Sequence, residues 1–462
     1  MNKSKTLLII LIITIPLLYG FDVFAHIVYD NKGNSQRNYI VEEYEPILRI
    51  REGYISHKKE KIKVKRNDKV VAVIKLGKPV IVAQADTVES WGYFQFPCIY
   101  QYNDDPLIVG WQMAADSHTA YGDGGNGRMM SKNRGRTWKP LDANYFQKAS
   151  HRLDMSNGDV IHISTPSRRI NNYASFPKSI NKAPINDHYF YLEAELPEDL
   201  RGVYLYHRDC KSQTSKLIHG ELRDPGLLRY AIDNIMSVVW WGDIQELADG
   251  SLVAGIYPGY YADKAGNVNE YGISFYKTTD RGHHWDILGK IPFQEDVRRF
   301  HSTIDEGIRG FSEPAFSVLE NGMFLCVMRT GFDTPMYKSI SIDGGKHWGT
   351  AVPFTSNGVA PKLLQLDNGV IVLTSGRPGV QLRFCIEGDG EYWTEPIDMI
   401  PFLDVDGNYT MTLRKMPTCG YTDIMAVNDH TFYMVYSDFT LKNKEGQKRK
   451  TIVFRKIEVI KK

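Results

Sequence analysis

Four residues at the ends of apolar runs carry side chains suited to proton transfer beside an anion. His118 follows the run Leu107-Ile108-Val109-Gly110-Trp111. Arg208 ends Val203-Tyr204-Leu205-Tyr206-His207, and Tyr257 and Tyr260 follow Ser251-Leu252-Val253-Ala254-Gly255-Ile256. Arg329 and Arg377 end two further runs at matching distances from an Asn-Gly turn. Such a set fits β-elimination on a uronate. An arginine pairs with the C5 carboxylate and eases loss of the C5 proton. Neutral imidazole removes that proton near pH 7, and a tyrosine protonates the oxygen leaving C4. The paired carboxylates of a glycoside hydrolase are not required. His118, Tyr257, Tyr260 and Arg208 are therefore the expected catalytic group, with Arg329 and Arg377 in substrate binding. No cysteine or histidine spacing indicates a metal, and no cofactor is expected.

Something must hold these ends around one point. A phrase recurs: a turn of Asp, Asn or Gly, four to six mostly apolar residues, then a polar or aromatic one. Its clearest copies start at Asp249-Gly250, Asn321-Gly322 and Asn368-Gly369, and weaker ones at Asp105, Asn157-Gly158, Arg201-Gly202 and Asp429. A period of roughly 40–50 residues, each a short β-meander, describes a propeller blade. A second phrase is sharper. Ser131-x-Asn133-x-Gly135-x-Thr137-Trp138, Thr278-x-Asp280-x-Gly282-x-His284-Trp285 and Ser341-x-Asp343-x-Gly345-x-His347-Trp348 are near-complete copies, and Gly388-x-Gly390-x-x-Trp393 is a degenerate one. The Asp or Asn caps backbone N–H groups of the turn, the Gly takes a conformation other residues resist, and the Trp packs between sheets.

On these boxes the chain resembles the sialidase-like Asp-box propellers over most of residues 85–440. The resemblance implies an all-β fold of four-stranded blades with the active site on the axis, opposite the boxes. Seven anchors predict seven blades, with six, the sialidase number, as the alternative. It also implies roles for four more residues. Glu313 in Ser312-Glu313-Pro314 and Tyr421 in Gly420-Tyr421-Thr422-Asp423 resemble the glutamate and nucleophilic tyrosine of sialidases, beside arginines at 329 and 377. Gln95, in Phe94-Gln95-Phe96-Pro97, stands where the first of three arginines belongs, and Asp116-Ser117-His118-Thr119 replaces the region of the acid. Glu313, Tyr421 and Gln95 are thus expected to bind substrate. With two hydrolytic parts replaced, the chain is closer in features to secreted seven-bladed propeller lyases that cleave ulvan and related uronate–rhamnose polysaccharides. The expected function is a secreted lyase acting on a uronic-acid-containing, ulvan-like polysaccharide or oligosaccharide. Two alternatives stay open: a divergent exo-glycosidase of the sialidase type, and a non-catalytic propeller that binds glycans through Trp111, Trp240 and Trp241.

The whole chain is consistent with this. Its 462 residues carry 56 Lys+Arg against 54 Asp+Glu, which excludes the concentrated basic surface of a nucleic-acid binder. The 27 Tyr, 20 Phe, 8 Trp, 39 Gly and 21 Pro favour strands joined by tight turns. Residues 1–25 read as a signal peptide: Lys3 and Lys5, the apolar stretch Leu7–Leu18, then Val23-Phe24-Ala25 as the cleavage site. The expectation is one propeller domain over residues 26–462, secreted or periplasmic, with an acidic glycan as partner and no membrane span after cleavage. The C-terminal runs Thr451–Phe454 and Ile457–Ile460 are expected to close the ring against Pro79–Val82. The five scattered cysteines are expected to be free thiols.

Overall fold

The computed structural model describes residues 60–462 except 102–105, 118–124, 142–151, 172–175, 182–187, 213, 238, 270–271, 294–309, 332–333, 356, 378 and 401–415. The signal segment and His118 lie outside the described residues.

The protein is an all-β propeller. Its first blade is Tyr93–Tyr100, Leu107–Met113, Gly125–Ser131 and Lys139–Pro140. The second is Arg152–Asp154, Val160–Ser164, Val203–Arg208 and Ser215–Arg223, and the third Trp240–Glu246, Leu252–Gly259, Gly272–Thr278 and His284–Ile291. The fourth and fifth begin at Ser312–Val318 and Val359–Gln365. The sixth is Thr422–Asn428, Thr431–Asp438 and Thr451–Lys461, completed by Val80–Gln84 from the other end of the chain. The first strands of most neighbouring blades touch one another and so line the axis.

Strands such as Leu252–Gly259 and Ile371–Gly376 are buried almost throughout because both sheet faces are covered. The core is accordingly a ring of clusters, each shared by two consecutive blades. Ile99, Val109 and Trp111 of the first blade pack with Val435 and Phe454 of the sixth. Tyr100 and Ile108 meet Val160 of the second, and Leu205 of the second meets Trp241 and Trp285 of the third. Phe275 of the third meets Phe316, Leu325 meets Leu373, and Phe384 meets Phe432. Six such junctions return to the starting blade.

The ring among the described residues is therefore six-bladed, not seven-bladed. The cause of the miscount is local. The turns at Gly158 and Gly202 both belong to the second blade, which is interrupted after its second strand. There the chain leaves to form Arg168–Arg169 and Tyr189–Leu192, and after the fourth strand it adds Leu228–Ile232 and Ile235–Met236. These make a separate four-stranded sheet with its own small core of Ile170, Tyr191, Leu196, Ala231 and Met236. The excursion spaces two turns of one blade as though they were two blades.

The boxes join third to fourth strands. In each complete copy the first hydroxyl accepts the Gly N–H at 2.9 Å, and the Asp or Asn carbonyl or carboxylate oxygen accepts the N–H of the residue before the Trp. Trp285 and Trp348 return a hydrogen bond to their own Gly carbonyl at 3.2 and 3.1 Å, as does Trp393 of the degenerate copy at 3.0 Å. All five cysteines are free thiols.

Candidate active site

Three axial strands open with the same irregularity. Phe96-Pro97, Glu313-Pro314 and Ala360-Pro361 each sit in a bulge where the ladder slips, and the residue before the proline has φ of +52°, +48° and +46°. Proline cannot donate to a ladder, and a bulge turns the neighbouring residue out of the sheet. Bulky residues with positive φ are uncommon and persist where surrounding contacts hold them. Those contacts meet at Glu313.

One Glu313 carboxylate oxygen accepts from Arg329 Nη1 at 2.8 Å and from the Tyr421 hydroxyl. The other accepts the Ala360 N–H at 2.7 Å, in the next blade's bulge. Arg329 ends the second strand of the same blade, and its Nε donates to Gly331 O at 2.7 Å. The Arg329 Nη1 also lies 3.5 Å from the Tyr421 oxygen. Arg377 reaches the group from the fifth blade: its Nε donates to Cys419 O at 3.1 Å, and its guanidinium carbon lies 5.5 Å from the Tyr421 ring centre and 5.7 Å from that of Trp91. A Cβ on Gly376 would lie 1.7 Å from Gly420 O, and one on Gly420 2.6 Å from Arg377 Cγ, so the two blades need both glycines to bring Arg377 beside Tyr421. Phe96 closes the far side edge-on to Tyr421 at 4.7 Å.

The charges are set by this enclosure. Burial acts to raise Glu313, but Arg329, the Tyr421 hydrogen bond and Arg377 outweigh it and hold the carboxyl below its ordinary value. Burial, then the Glu313 charge, push Tyr421 well above the usual phenol value. Arg329 is raised by Glu313 in spite of burial. Near neutral pH the group is thus a carboxylate receiving a phenol proton between two guanidinium ions, with one net positive charge. Glu313 and Arg329 keep 11% and 18% of their side-chain surface exposed.

A second layer lies deeper along the axis. Lys362 Nζ is 3.6 Å from Asp243 Oδ1, across from the third blade. Asp423, two residues after Tyr421, accepts the Ile99 and Ile424 N–H groups at 2.9 and 3.1 Å. Burial, only partly offset by Lys362, pushes Asp423 up to about 6 and raises Asp243 too. Burial and Asp423 push the Cys98 thiol up to about 12. Two carboxylates thus share one ammonium under the pocket. Asp243, Lys362, Asp423 and Trp91 escaped the sequence reading. The Xaa-Pro pair at the head of an axial strand, repeated at Pro97, Pro314 and Pro361, is the signal that points to this layer.

The structure brings together Glu313, Arg329, Arg377 and Tyr421. Tyr257 borders them: it packs against the cluster that holds Phe311 and Met328, the sequence neighbours of Ser312 and Arg329. Gln95 is fully buried in the first blade, and neither end of its amide has a hydrogen-bond partner among the described residues. Arg208 is not part of the group. It ends a third strand, and third strands run from the axial-site face toward the boxes, so Arg208 lies at the opposite rim, beside His207 and its Asp159 partner at 2.8 Å. Tyr260 turns onto the inserted sheet, 4.9 Å from Phe190. Trp111 and Trp241 are only 6% and 1% exposed, inside the inter-blade clusters, and cannot serve as stacking platforms.

No family model matches the chain, and no curated protein matches it. Among solved structures it is similar to a protein of unknown function from Dyadobacter fermentans DSM 18053, with a TM-score of 0.54, 16% identity, and coverage of 84% of this chain and 99% of that one. It is also similar to the Hadza microbial sialidase Hz136 (TM-score 0.46, 14% identity, 79% of this chain and 65% of that one). Trypanosoma rangeli sialidase gives 0.42 and 13%, with 86% of this chain and 58% of that one. The chain thus spans less than two thirds of either of those sialidase chains. These likenesses concern the fold.

Proposed function

We propose that the protein is a carbohydrate-active enzyme that transfers an anionic glycosyl group through Tyr421, with Glu313 as its base. The observation that supports this is the Tyr421 hydroxyl donating to Glu313 between Arg329 and Arg377. The two arginines take the sugar's carboxylate as a charge-assisted pair. A bond forms from Tyr421 Oη to the anomeric carbon as the glycosidic C–O bond breaks. The phenol proton passes to Glu313, whose low proton affinity keeps it free to accept. A neutral phenol suits this task because a carboxylate nucleophile would be repelled by the substrate's own anion. The departing oxygen takes a proton from Asp116, which is held by Trp91 Nε1 at 2.9 Å on the side of Arg377. Water then releases the sugar from Tyr421.

This reading ranks glycosyl transfer above the elimination expected from the sequence, because Arg208 lies at the far rim. Gln95, neutral where a third arginine was expected, leaves the carboxylate to two cations. The test is turnover of sialyl- and glycuronyl-oligosaccharides in ¹⁸O-water. The expected product carries one labelled oxygen, and acid quenching leaves a glycosyl adduct on Tyr421. An unlabelled, ultraviolet-absorbing unsaturated uronate would overturn the proposal in favour of a lyase.

A further inference from the structure

We infer that the inserted sheet carries a second sugar subsite, so that the enzyme takes an oligosaccharide or polysaccharide chain rather than a single glycoside. This rests on the glycosyl-transfer reading for the anionic sugar and adds the class of its neighbour. One face of the sheet is spent on its own core. On the other, Phe190 pairs across strands with Tyr230, His188 lies two residues before it, and Tyr260 joins edge-on. Ring centres are 4.7 Å apart for His188 and Tyr230, and 5.8 Å for Tyr230 and Tyr260. Phe190 is buried beneath, whereas His188, Tyr230 and Tyr260 are half-buried. Half-buried rings backed by another ring match a sugar, which offers a C–H face to stack and hydroxyls to bond.

Position selects the occupant. The Tyr260 carbonyl accepts the Leu228 N–H at 3.0 Å, which fixes this face to the end of the strand Leu252–Gly259. Tyr257, on the same strand end, borders Arg329. Three residues span at most about 10 Å, so this face lies within one or two sugar lengths of Tyr257. The face therefore lies beside the anion pocket, and its occupant is a sugar of the same glycan that carries the anionic one.

The experiment measures binding in the full chain carrying Tyr421→Phe, which holds substrate without turnover. Calorimetry compares N-acetylneuraminic acid with 3′-sialyllactose, and glucuronic acid with an ulvan-derived tetrasaccharide. In one pair the longer ligand should bind at least about tenfold tighter. Tyr230→Ala with Tyr260→Ala should remove that advantage and leave the monosaccharide affinity unchanged, while the double Phe variant keeps it. The inference is overturned if neither pair shows an advantage, if the Ala variant retains it, or if short and long ligands weaken equally in an Ala variant that melts normally. An advantage that behaves as expected without turnover by the unmutated chain would instead overturn the glycosyl-transfer reading alone.

Discussion

On the proposed reading Tyr421 attacks carbon, and a phenol does so poorly until its proton has somewhere to go, so the weight of the site falls on its hydrogen bond to Glu313. Tyr421→Phe keeps the ring against Phe96 and Arg377 but removes the attacking oxygen. Activity on the substrate identified by turnover should fall at least a thousandfold, with the melting temperature little changed. Glu313→Gln keeps an acceptor for Ala360 N–H but no longer takes the proton, and should lower kcat by ~10²–10⁴-fold with a smaller change in KM. Equal loss in kcat and in ligand affinity would assign Glu313 to binding alone. Arg329 and Arg377 are legible from their matching distances from an Asn-Gly turn, and Glu313 and Tyr421 from segments that resemble those of sialidases. Arg208 looked the same in one dimension. What sequence does not display is strand direction in the blade: a residue ending a second strand reaches the axial site, and one ending a third strand reaches the boxes.

At the scale of elements, the bulged axial strands stack a charged layer under the pocket, and that layer responds to pH. An aspartate in an unfolded chain titrates near ~3.9, whereas Asp423 is held at about 6. Between those values the folded protein retains a proton that the unfolded chain has released. This group's contribution to stability therefore falls as pH rises from about 4 to about 6 and stays low above that. Asp423→Asn should flatten that part of the melting profile and raise the melting temperature at pH 7 relative to pH 4.5; an unchanged slope would place the titration elsewhere. A hairpin turn, at Gly250, and a box turn, at Gly135, allow a separate comparison. Gly250 and Gly135 have φ of +76° and +80°, but a Cβ on Gly250 meets nothing within 4 Å, while one on Gly135 would lie 2.2 Å from Phe454 Cε1. Gly250→Ala should cost about 1–2 kcal/mol in denaturant unfolding, from backbone strain alone. Gly135→Ala should cost at least ~1 kcal/mol more, because the Phe454 ring must move. The box pattern was readable because its hydrogen bonds are local, whereas the Xaa-Pro bulges gain meaning only when three blades face each other.

For the molecule as a whole, the ring is closed by strands from opposite ends of the chain. Val80–Gln84 pairs with Thr451–Phe454, and Lys69–Leu76 extends the pairing along Ile457–Lys461. Removing residues 60–84 would bare one edge of the sixth blade, and bare edges invite pairing between molecules. Such a truncation should aggregate on refolding, measured by light scattering, while the full chain does not. The closing pair was foreseeable from two apolar runs, but the blade count was not, since an inserted sheet lengthens one blade without leaving a compositional mark. Closure also sets a timetable. Gln84 and its partner Thr451 are separated by 367 positions, which at ~5–20 residues per second is about 20–70 s of synthesis. Phe96 and Tyr421, which touch between the first and sixth blades, are likewise made from opposite ends of the chain. Glu313 is made 108 positions before Tyr421, with both arginines between them, so on the proposed reading no growing intermediate that stops short of the sixth blade can act on sugar.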